Sequence, residues 1–167
     1  TGKTGVAIAT SGPGATNLVT GIATAYMDSI PTVFITANVG NTLIGRDAFQ
    51  EVCITGVTFR ITKHSFFDNK KEDLVDAMRD AFRIANEGRK GPVLVDMTKD
   101  VTDALVDYEP APNYPLKKKQ DPHEETKLAR IAEYINSAER PVMLVGGGAI
   151  AAEAPEEVQQ LMKKADI

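Results

Sequence analysis

A glycine-rich turn at residues 11–17, Ser-Gly-Pro-Gly-Ala-Thr-Asn, most strongly limits how this chain can fold. It separates an apolar run, residues 6–10, from a segment with helical spacing of small apolar residues, 18–27. Gly12 and Gly14 can adopt backbone angles that are closed to other residues, and Pro13 has a fixed φ and no N–H. The chain can therefore turn sharply from a strand into a helix.

A turn of this kind lies at the carboxyl end of a parallel strand, where α/β folds bind ligands. The free N–H groups at the start of the following helix suit an anion or a polar ring. The composition fits a plain connection equally well, and the spacing is neither G-x-G-x-x-G nor that of a P-loop. Residues 2–4, Gly-Lys-Thr, match only the end of a P-loop, so we interpret Lys3 as an exposed residue before the strand.

The first part of the chain alternates strands and helices. Predicted strands cover residues 5–10, 32–36, 59–65 and 93–97, and predicted helices cover 18–27, 51–58 and 71–87. The first strand is continuously apolar, as buried parallel strands are. A strand, a helix and a strand within about thirty residues form a right-handed βαβ unit. The pattern predicts an α/β fold with a doubly wound parallel sheet.

The character of the chain changes after residue 106. Residues 107–122 combine four prolines with a lysine run at 117–119, which is the composition of an extended, solvated linker. A helix at 124–138, a strand at 141–145 and a helix at 155–164 then predict the start of a Rossmann-like domain, because these elements alone cannot close a core. We therefore expect domains at 1–105 and 123–167 joined by a linker at 106–122. We also expect an internal segment of a longer protein, since residues 165–167 lead from a helix towards another strand.

Composition excludes several classes of partner and location. The net charge of −4 gives no electrostatic reason to expect nucleic acid or an anionic membrane as a partner. No apolar run approaches the ~18 residues of a transmembrane helix. The single cysteine, Cys53, excludes an internal disulfide and fits a reducing compartment, so we expect a cytoplasmic protein. Because Cys53 stands among Val52, Ile54 and Val57, we predict a buried thiol.

Polar residues that could carry chemistry fall at predicted strand ends and in loops, where sites of such folds lie. The connection at 37–50 is long enough to favour a functional role. The groups are Phe49-Gln50-Glu51, Lys63-His64, residues 96–100 and the triple glycine at 146–148. Each group fits exposed loop residues, a helix cap or a simple turn as well as a site. His64 and His123 lack a second histidine or cysteine at ligand spacing, so we predict no metal site and assemble no Ser-His-Asp set.

Six stretches considered together are more specific than any one of them. They are Ile-Ala-Thr with the glycine turn at 8–17, Ala-Tyr-Met-Asp-Ser-Ile-Pro at 25–31, Ile-Gly at 44–45, Asp-Ala-Phe-Gln-Glu at 47–51, Ile-Thr-Lys-His at 61–64 and Gly-Pro-Val-Leu-Val-Asp at 91–96. In order and spacing they resemble the catalytic subunits of the acetohydroxyacid synthase (acetolactate synthase) family of thiamine-diphosphate-dependent enzymes. The resemblance covers residues 1–101 and 140–148. It implies the second part of a pyrimidine-binding domain followed by the start of a central, FAD-binding-like domain.

The resemblance also implies roles for individual residues. In the glycine turn, the resemblance places Pro13 and Asn17 against the aminopyrimidine of thiamine diphosphate and makes Gly12 and Gly14 cofactor-binding residues with them. The catalytic group implied by the resemblance is Phe49, Gln50 and Lys99. Phe49 and Gln50 would line the active site near a second subunit's cofactor, and Lys99 would flank the substrate channel. The residues that meet bound FAD are Arg89, Gly146 and Gly147.

The reaction implied by the resemblance is decarboxylation of pyruvate and transfer of the two-carbon unit to a second 2-oxoacid, in valine, leucine and isoleucine synthesis. The cofactor-activating glutamate is expected before Thr1 and the Mg²⁺ ligands beyond Ile167, so we expect the isolated chain to be inactive. Active sites of the family form between subunits, which implies a homodimer or tetramer, with a regulatory subunit as a further partner. The alternatives are another flavin-containing thiamine enzyme, such as pyruvate oxidase or glyoxylate carboligase, and a non-catalytic nucleotide-binding module.

The chain departs from the family pattern in three places. The family usually has Gly-Gln-Val-Pro where residues 37–40 are Ala-Asn-Val-Gly, and Pro-Lys-Asp where residues 98–100 are Thr-Lys-Asp. Arg89 is followed by Lys90 where a proline is usual. The first change alters a loop near the channel mouth and leaves the preference for the second 2-oxoacid open.

Overall fold

The chain divides into two units, which are described separately. The computed structural model describes residues 2–110 and 122–167. The first unit contains the described residues 3–110, and the second contains 122–167. Most of the linker predicted at 106–122, including the lysine run, lies outside the described residues.

A four-stranded parallel sheet forms the centre of the first unit. Its strands are β1 Gly5–Ala9, β2 Thr32–Asn38, β3 His64–Asp68 and β4 Pro92–Thr98. Their order in the sheet is β1-β2-β4-β3. Because every strand runs in the same direction, all four carboxyl ends lie along one edge of the sheet. The predicted parallel α/β sheet is confirmed.

Helices cover both faces of this sheet. They are α1 Pro13–Asn17, α2 Val19–Met27, α3 Ile54–Thr58, α4 Lys71–Asn86 and α5 Lys99–Thr102, with a 3-10 turn at Asn41–Leu43. On one face, Phe34 and Leu94 pack with Ile22 of α2 and Ile54 of α3. On the other, Val33, Ile35, Val93 and Val95 pack against Ala81 and Ala85 of α4. Strands β2 and β4 are buried on both faces, which explains their nearly continuous apolar sequences.

Two predictions for the strands are wrong in detail. The strand at 5–10 was expected to be buried, but Val6 is 51% and Ile8 74% exposed. The reason is that β1 is an edge strand, which within the described residues pairs only with β2, and none of its side chains joins the core cluster on the α4 face of the sheet. The third strand begins at His64, not at residue 59, because Ile61 and Thr62 are still hydrogen-bonded to the carbonyl of Thr58 after α3.

Helix α4 begins and ends close to its predicted bounds of 71–87. Gly88, with φ of +61°, follows it in the left-handed conformation expected after a helix end. Its fully or nearly buried residues are the alanines Ala77, Ala81 and Ala85, spaced four apart. Such small side chains allow the helix to lie close to the sheet, and larger residues predicted on this face, such as Phe82, are partly exposed.

The second unit contains three helices among residues 122–167: α6 Glu124–Ser137, α7 Gly147–Ala151 and α8 Pro155–Ala165. The strand predicted at 141–145 is not formed. A strand needs a hydrogen-bonded neighbour, and the described part of this unit offers none, so Val142 is 93% and Leu144 98% exposed. Among the helices described in either unit, none has both the length and the apolar character required to cross a membrane.

Candidate functional site

The glycine turn is in contact with the loop that contains Gln50. Gly12 has φ of +59° and ψ of −119°, and it precedes Pro13 at the start of α1. A Cβ atom on Gly12 would lie 2.8 Å from the Cβ of Gln50 and 2.9 Å from its Cα and carbonyl oxygen. Both the backbone angle and the available space therefore require glycine at this position.

The remaining residues of the turn are also closely fitted. A Cβ atom on Gly14 would lie 2.7 Å from Cγ2 of Thr10. The N–H of Thr16 donates to the carbonyl of Gly12 at 3.0 Å, so the helix begins directly after the left-handed glycine. Pro13 and Asn17 are both exposed. The turn, which follows the carboxyl end of β1, thus exposes a proline ring and an amide.

Two residues predicted from different motifs meet here. Gln50 contacts Gly12, and Phe49, its neighbour in the chain, is 89% exposed. The structure therefore brings the glycine turn and the Asp-Ala-Phe-Gln-Glu motif to one end of the sheet. An exposed phenylalanine and an exposed amide at such an edge are available to a ligand.

The loop before Gln50 has an unusual backbone. Gly45, Asp47 and Gln50 have φ angles of +76°, +52° and +63°. A left-handed non-glycine residue costs roughly 1–3 kcal/mol and persists where its surroundings determine it. Here the surroundings are the Glu51 carboxylate, which accepts the N–H of Gly45 at 2.5 Å and that of Ala48 at 3.0 Å. These backbone hydrogen bonds lower the pKa of Glu51.

Asn38 closes the base of the same loop. Its Nδ2 donates to Oδ2 of Asp96 at 2.7 Å and to the carbonyl of Val52 at 3.2 Å. Its Oδ1 accepts the N–H of Val39 at 2.8 Å. Because Asn38 lies before the loop and Val52 after it, one buried side chain joins both ends of the loop to β4.

Asp96 is a buried carboxyl at the end of β4. The hydroxyl of Thr36 donates to its Oδ1 at 2.6 Å. Burial raises the pKa of Asp96 to about 6, the hydrogen bonds from Thr36 and Asn38 oppose this shift, and the nearby Asp68 carboxyl adds to it. Asp96 was one of the polar residues considered for chemistry. It is only 1% exposed, and it holds the loop through the hydrogen bond that it accepts from Asn38.

Two further polar atoms are buried at this end of the sheet. Among the described residues, Oδ2 of Asp68 and Oγ1 of Thr98 are buried with no hydrogen-bond partner. Burial and the nearby Asp73 carboxyl raise the pKa of Asp68. Asp68 in β3 and Asp96 in β4 are therefore both protonated more readily in the folded protein than in water.

Lys99 lies at the same edge, in the first turn of α5. Its exposed ammonium pairs with the carboxylate of Asp103, and this hydrogen bond and charge raise the pKa of Lys99. The neighbouring Asp100 carboxylate accepts the N–H of Asn41 at 2.5 Å. This bond links α5 to the loop, so Lys99 is placed on the loop side of the sheet.

Arg89 and Lys63 lie away from this edge. Arg89 donates to the hydroxyl of Ser29 at 2.8 Å and to the carbonyl of Met27 at 3.3 Å. These residues precede β4 and β2, so Arg89 lies at the amino ends of the strands and not near Gly12. Lys63 donates to the last carbonyls of α4, those of Ile84 and Glu87, which is a helix cap, and burial lowers its pKa.

The glycines of the second unit form a helix start. Gly146 has φ of −119°, and its carbonyl accepts the N–H of Ala149 at 3.1 Å. A Cβ atom on Gly146 or Gly147 would meet no described atom within 4 Å. The described contacts of that unit therefore do not require glycine at either position.

Two sequence predictions concern metal and thiol chemistry. Cys53 is exposed, so the predicted buried thiol is wrong, because the turn before α3 directs Cys53 away from the core while Ile54 is buried. Among the described residues, no group of three His, Cys, Asp or Glu side chains could hold a metal ion.

The supporting role of two residues was missed by the sequence analysis. Asn38 was noted only in the long connection and as a departure from the family pattern, and Glu51 only as part of a candidate polar group and of a family motif. A polar residue at the end of an apolar strand, in β2, was the available signal for Asn38. Its partners could not be read from the sequence because they depend on the pairing of β2 with β4.

Two protein-family models match the chain. The N-terminal TPP binding domain of thiamine pyrophosphate enzymes matches residues 1–57, and the central domain of the same enzymes matches residues 128–167. Together the two matches cover more than half of the chain. The chain belongs to the thiamine pyrophosphate enzyme family. Thiamine pyrophosphate is another name for thiamine diphosphate, so the family resemblance drawn from the motifs is confirmed.

Curated relatives within the thiamine pyrophosphate enzyme family are named acetolactate synthases. The large subunit from Corynebacterium glutamicum is 48% identical over 95% of this chain and 26% of its own length. The isozyme 1 large subunit of Escherichia coli is 46% identical over 99% of this chain and 29% of its own length. The probable large subunit of Methanocaldococcus jannaschii is 47% identical over 96% of this chain and 28% of its own length. The chain thus spans little more than a quarter of these relatives.

The family matches can be placed on the structure. The region that matches the TPP binding domain of thiamine pyrophosphate enzymes, 1–57, contains both Gly12 and Gln50. The contact between the glycine turn and the Gln50 loop is therefore internal to that domain. The region that matches the central domain contains Gly146 and Gly147.

Proposed function

We propose that this chain is the part of an acetolactate synthase large subunit that forms one side of its thiamine diphosphate site. The complete subunit would decarboxylate pyruvate and transfer the two-carbon unit to a second 2-oxoacid, pyruvate or 2-oxobutyrate, in branched-chain amino acid synthesis. The observation that carries the proposal is the contact of Gly12 with Gln50, in a chain 48% identical to an acetolactate synthase large subunit.

The exposed residues of the glycine turn fit the proposed cofactor. Bound thiamine diphosphate supplies the electron sink that allows a 2-oxoacid to lose carbon dioxide. The amide of Asn17 can donate to and accept from ring nitrogens, and the Pro13 ring offers an apolar surface to a flat heterocycle. Both side chains are exposed, and their spacing of four residues in α1 puts them on one face of the helix.

Three further residues would act on the substrates. The exposed ring of Phe49 would exclude water from the reacting carbons, and the amide of Gln50 would orient a carbonyl or carboxylate oxygen. The Lys99 ammonium would attract the carboxylate of an incoming 2-oxoacid, although its pairing with Asp103 reduces its field. All three lie at the carboxyl edge of the sheet.

The proposal includes four further features, which rest on the family resemblance. FAD would be held by Arg89, Gly146 and Gly147, and Mg²⁺ by residues outside this chain. A homodimer or tetramer would place the exposed Phe49 near the cofactor of a second subunit, and a regulatory subunit would bind the assembly. The single cysteine supports a cytoplasmic location.

Product analysis tests the proposed function. The full-length protein that contains this chain is supplied with pyruvate, thiamine diphosphate, Mg²⁺ and FAD, while oxygen uptake is recorded. Acetolactate without stoichiometric oxygen uptake supports the proposal. Acetate or acetyl phosphate with oxygen consumed would assign the protein to the oxidases, and no turnover despite bound cofactor would indicate a non-catalytic module.

Two additional assays refine this test. A competition between pyruvate and 2-oxobutyrate gives the ratio of the two products and hence the preference for the second 2-oxoacid. The isolated 167-residue chain serves as a control and is expected to form no acetolactate. Acetolactate from the isolated chain would contradict the assignment of the activating glutamate and the Mg²⁺ ligands to residues outside it.

A further inference from the structure

The turn at residues 45–50 has a conformation that its own backbone disfavours. Asp47 and Gln50 have left-handed φ angles, which are uncommon for residues other than glycine. Both residues are exposed, so burial does not hold them in place. The conformation must therefore depend on specific hydrogen bonds.

Glu51 supplies those hydrogen bonds. One carboxylate oxygen accepts the N–H of Gly45 and the other accepts that of Ala48. The backbone N–H of Glu51 donates to the carbonyl of Ala48 at 2.9 Å, which closes the turn from the other direction. Hydrogen bonds to an ionised carboxylate are about twice as strong as neutral ones. The same bonds lower the pKa of Glu51, so the carboxylate is ionised at neutral pH.

The 45–50 turn is also in direct contact with the glycine turn at residues 11–17. The Cα, Cβ and carbonyl oxygen of Gln50 occupy the space next to Gly12 that a side chain would need. A change in the backbone of residues 45–50 must therefore move Gln50 relative to Gly12, or move both. Phe49 would move with Gln50 because it precedes Gln50 in the same turn.

We propose that Glu51 is a positioning residue for the candidate site. Its carboxylate holds the 45–50 turn so that Gln50 stays against Gly12 and Phe49 stays presented to the ligand. Both oxygens of Glu51 are engaged by the backbone of the turn, so Glu51 acts through Phe49 and Gln50. The identity of the ligand rests on the proposed function, whereas the role of Glu51 in holding the turn does not.

The test compares Glu51→Gln with the full-length parent protein. Glutamine has nearly the same shape as glutamate, but it has one acceptor oxygen and an NH₂ group that cannot accept from an N–H. Glu87→Gln is the matched control, because Glu87 also has a hydrogen-bonded carboxylate, at 2.8 Å from Arg83, but lies at the end of α4. Glu51→Asp is a second variant, which keeps the charge and lacks the length to reach both N–H groups.

Amide hydrogen exchange of residues 44–51, measured by mass spectrometry, reports the turn directly. We expect exchange in Glu51→Gln to be about tenfold faster than in the parent, an intermediate value in Glu51→Asp, and no change in Glu87→Gln. Unchanged exchange in Glu51→Gln would overturn the proposal. Circular dichroism and the unfolding midpoint check that the substitution leaves the sheet folded.

Ligand measurements then separate positioning from a purely structural role. We expect the Kd for thiamine diphosphate and the KM for pyruvate to rise about tenfold in Glu51→Gln, and to match the parent in Glu87→Gln. Faster exchange without any change in Kd, KM or kcat would overturn the positioning role. If the parent forms no acetolactate, the proposed function fails, while the exchange rates and the Kd for thiamine diphosphate still decide the role of Glu51.

Discussion

Gly12 and Gln50 fit so closely that the hydrogen atom of a glycine is the only side chain the space allows. The nearest atoms of Gln50 would lie 2.8 to 2.9 Å from an added Cβ. The turn after β1 and the loop after β2 are therefore packed against each other at the carboxyl edge of the sheet, and neither can move there without the other. A perturbation of either is expected to affect both sets of candidate residues.

Replacing Gly12 tests this contact. In Gly12→Ala the new methyl group meets the backbone of Gln50 and the residue must keep a φ of +59°. We expect the free energy of unfolding to fall by about 1–3 kcal/mol and the affinity for thiamine diphosphate to fall with it. Urea unfolding and a cofactor titration of the full-length protein measure the two effects.

Gly21→Ala is the matched control. Gly21 lies within α2, and an added Cβ would meet no described atom within 4 Å. We expect this variant to be more stable by about 0.5–1 kcal/mol, because alanine favours a helix over glycine. If both alanine variants had equal stability, the close contact at Gly12 would be contradicted.

Asn38 provides a second test through charge. In Asn38→Asp a carboxylate replaces the amide nitrogen that lies 2.7 Å from Oδ2 of Asp96, and the bond to Val52 is lost. Two adjacent carboxyls cannot both ionise without repulsion, so we expect a greater loss of stability at pH 7 than at pH 5. Asn38→Ala removes the same bonds without adding a charge, at a cost of about 1–3 kcal/mol. Because the Asn38 hydrogen bond opposes the rise in the pKa of Asp96, its loss adds a pH dependence of the same sign, which is expected to be smaller than that of Asn38→Asp. Urea unfolding of both variants at the two pH values measures the difference.

The raised pKa of Asp96 predicts how stability depends on pH. Its pKa is about 6 in the folded protein against an ordinary value of 3.8, so the folded state binds more protons between these values. Stability contributed by the protonated carboxyl is therefore present at low pH and is lost as the pH rises from about 4 to 6. The shift corresponds to roughly 3 kcal/mol at 1.36 kcal/mol per pH unit.

Asp96→Asn is expected to remove most of that pH dependence. Asparagine is neutral throughout, and its side chain still provides an oxygen that accepts the Thr36 hydroxyl. The pKa of Asp68 is also raised, so the variant should keep a smaller fall in stability with rising pH. Free energies of unfolding measured between pH 4.5 and 7.5 test the prediction. Parallel curves for the parent and the variant would falsify it.

Gly40 and Gly45 lie in one loop and are expected to respond oppositely to alanine. Gly40 has φ of −63°, and an added Cβ would lie in ordinary contact, 3.4 Å from Oδ2 of Asp100. Gly40→Ala should stabilise the protein by about 0.4–1 kcal/mol by restricting the unfolded chain. Gly45 has φ of +76°, so Gly45→Ala should lower the free energy of unfolding of the protein by about 1 kcal/mol. Thermal unfolding of the pair provides the comparison, and a shift of the same sign in both would contradict the assigned backbone angles.

Arg89 is expected to affect stability without affecting the thiamine site. Arg89→Ala removes the bonds to Ser29 and to the last turn of α2, with an expected loss of about 1 kcal/mol. Because Arg89 lies at the amino ends of the strands, the Kd for thiamine diphosphate should stay unchanged. Under the proposed function, the affinity of the full-length protein for FAD should fall, which flavin fluorescence measures. Weaker binding of thiamine diphosphate would contradict the separation of the two regions.

Much of the first unit could be predicted from local patterns. The glycine turn, the apolar strands β2 and β4 and the amphipathic helix α4 were recognised because periodicity and turn residues act over a few neighbours. The exposure of β1 was not recognised, because an apolar strand has the same sequence whether it lies at the edge or the centre of a sheet. The strand predicted at 141–145 is not formed for a related reason: an apolar run does not show whether a neighbouring strand is present to pair with it.

The sequence by itself determined the parallel α/β class and the positions of the turns, because backbone preferences and side-chain periodicity are local. It also contained the family resemblance, through the order of its motifs. Only the tertiary structure decided that Gly12 meets Gln50, that Asn38 joins Asp96 to Val52, and that Arg89 lies at the other edge. These contacts depend on the strand order β1-β2-β4-β3, which brings together residues far apart in the chain. That order follows from the packing of both sheet faces against helices, a property of the whole unit and not of any single segment.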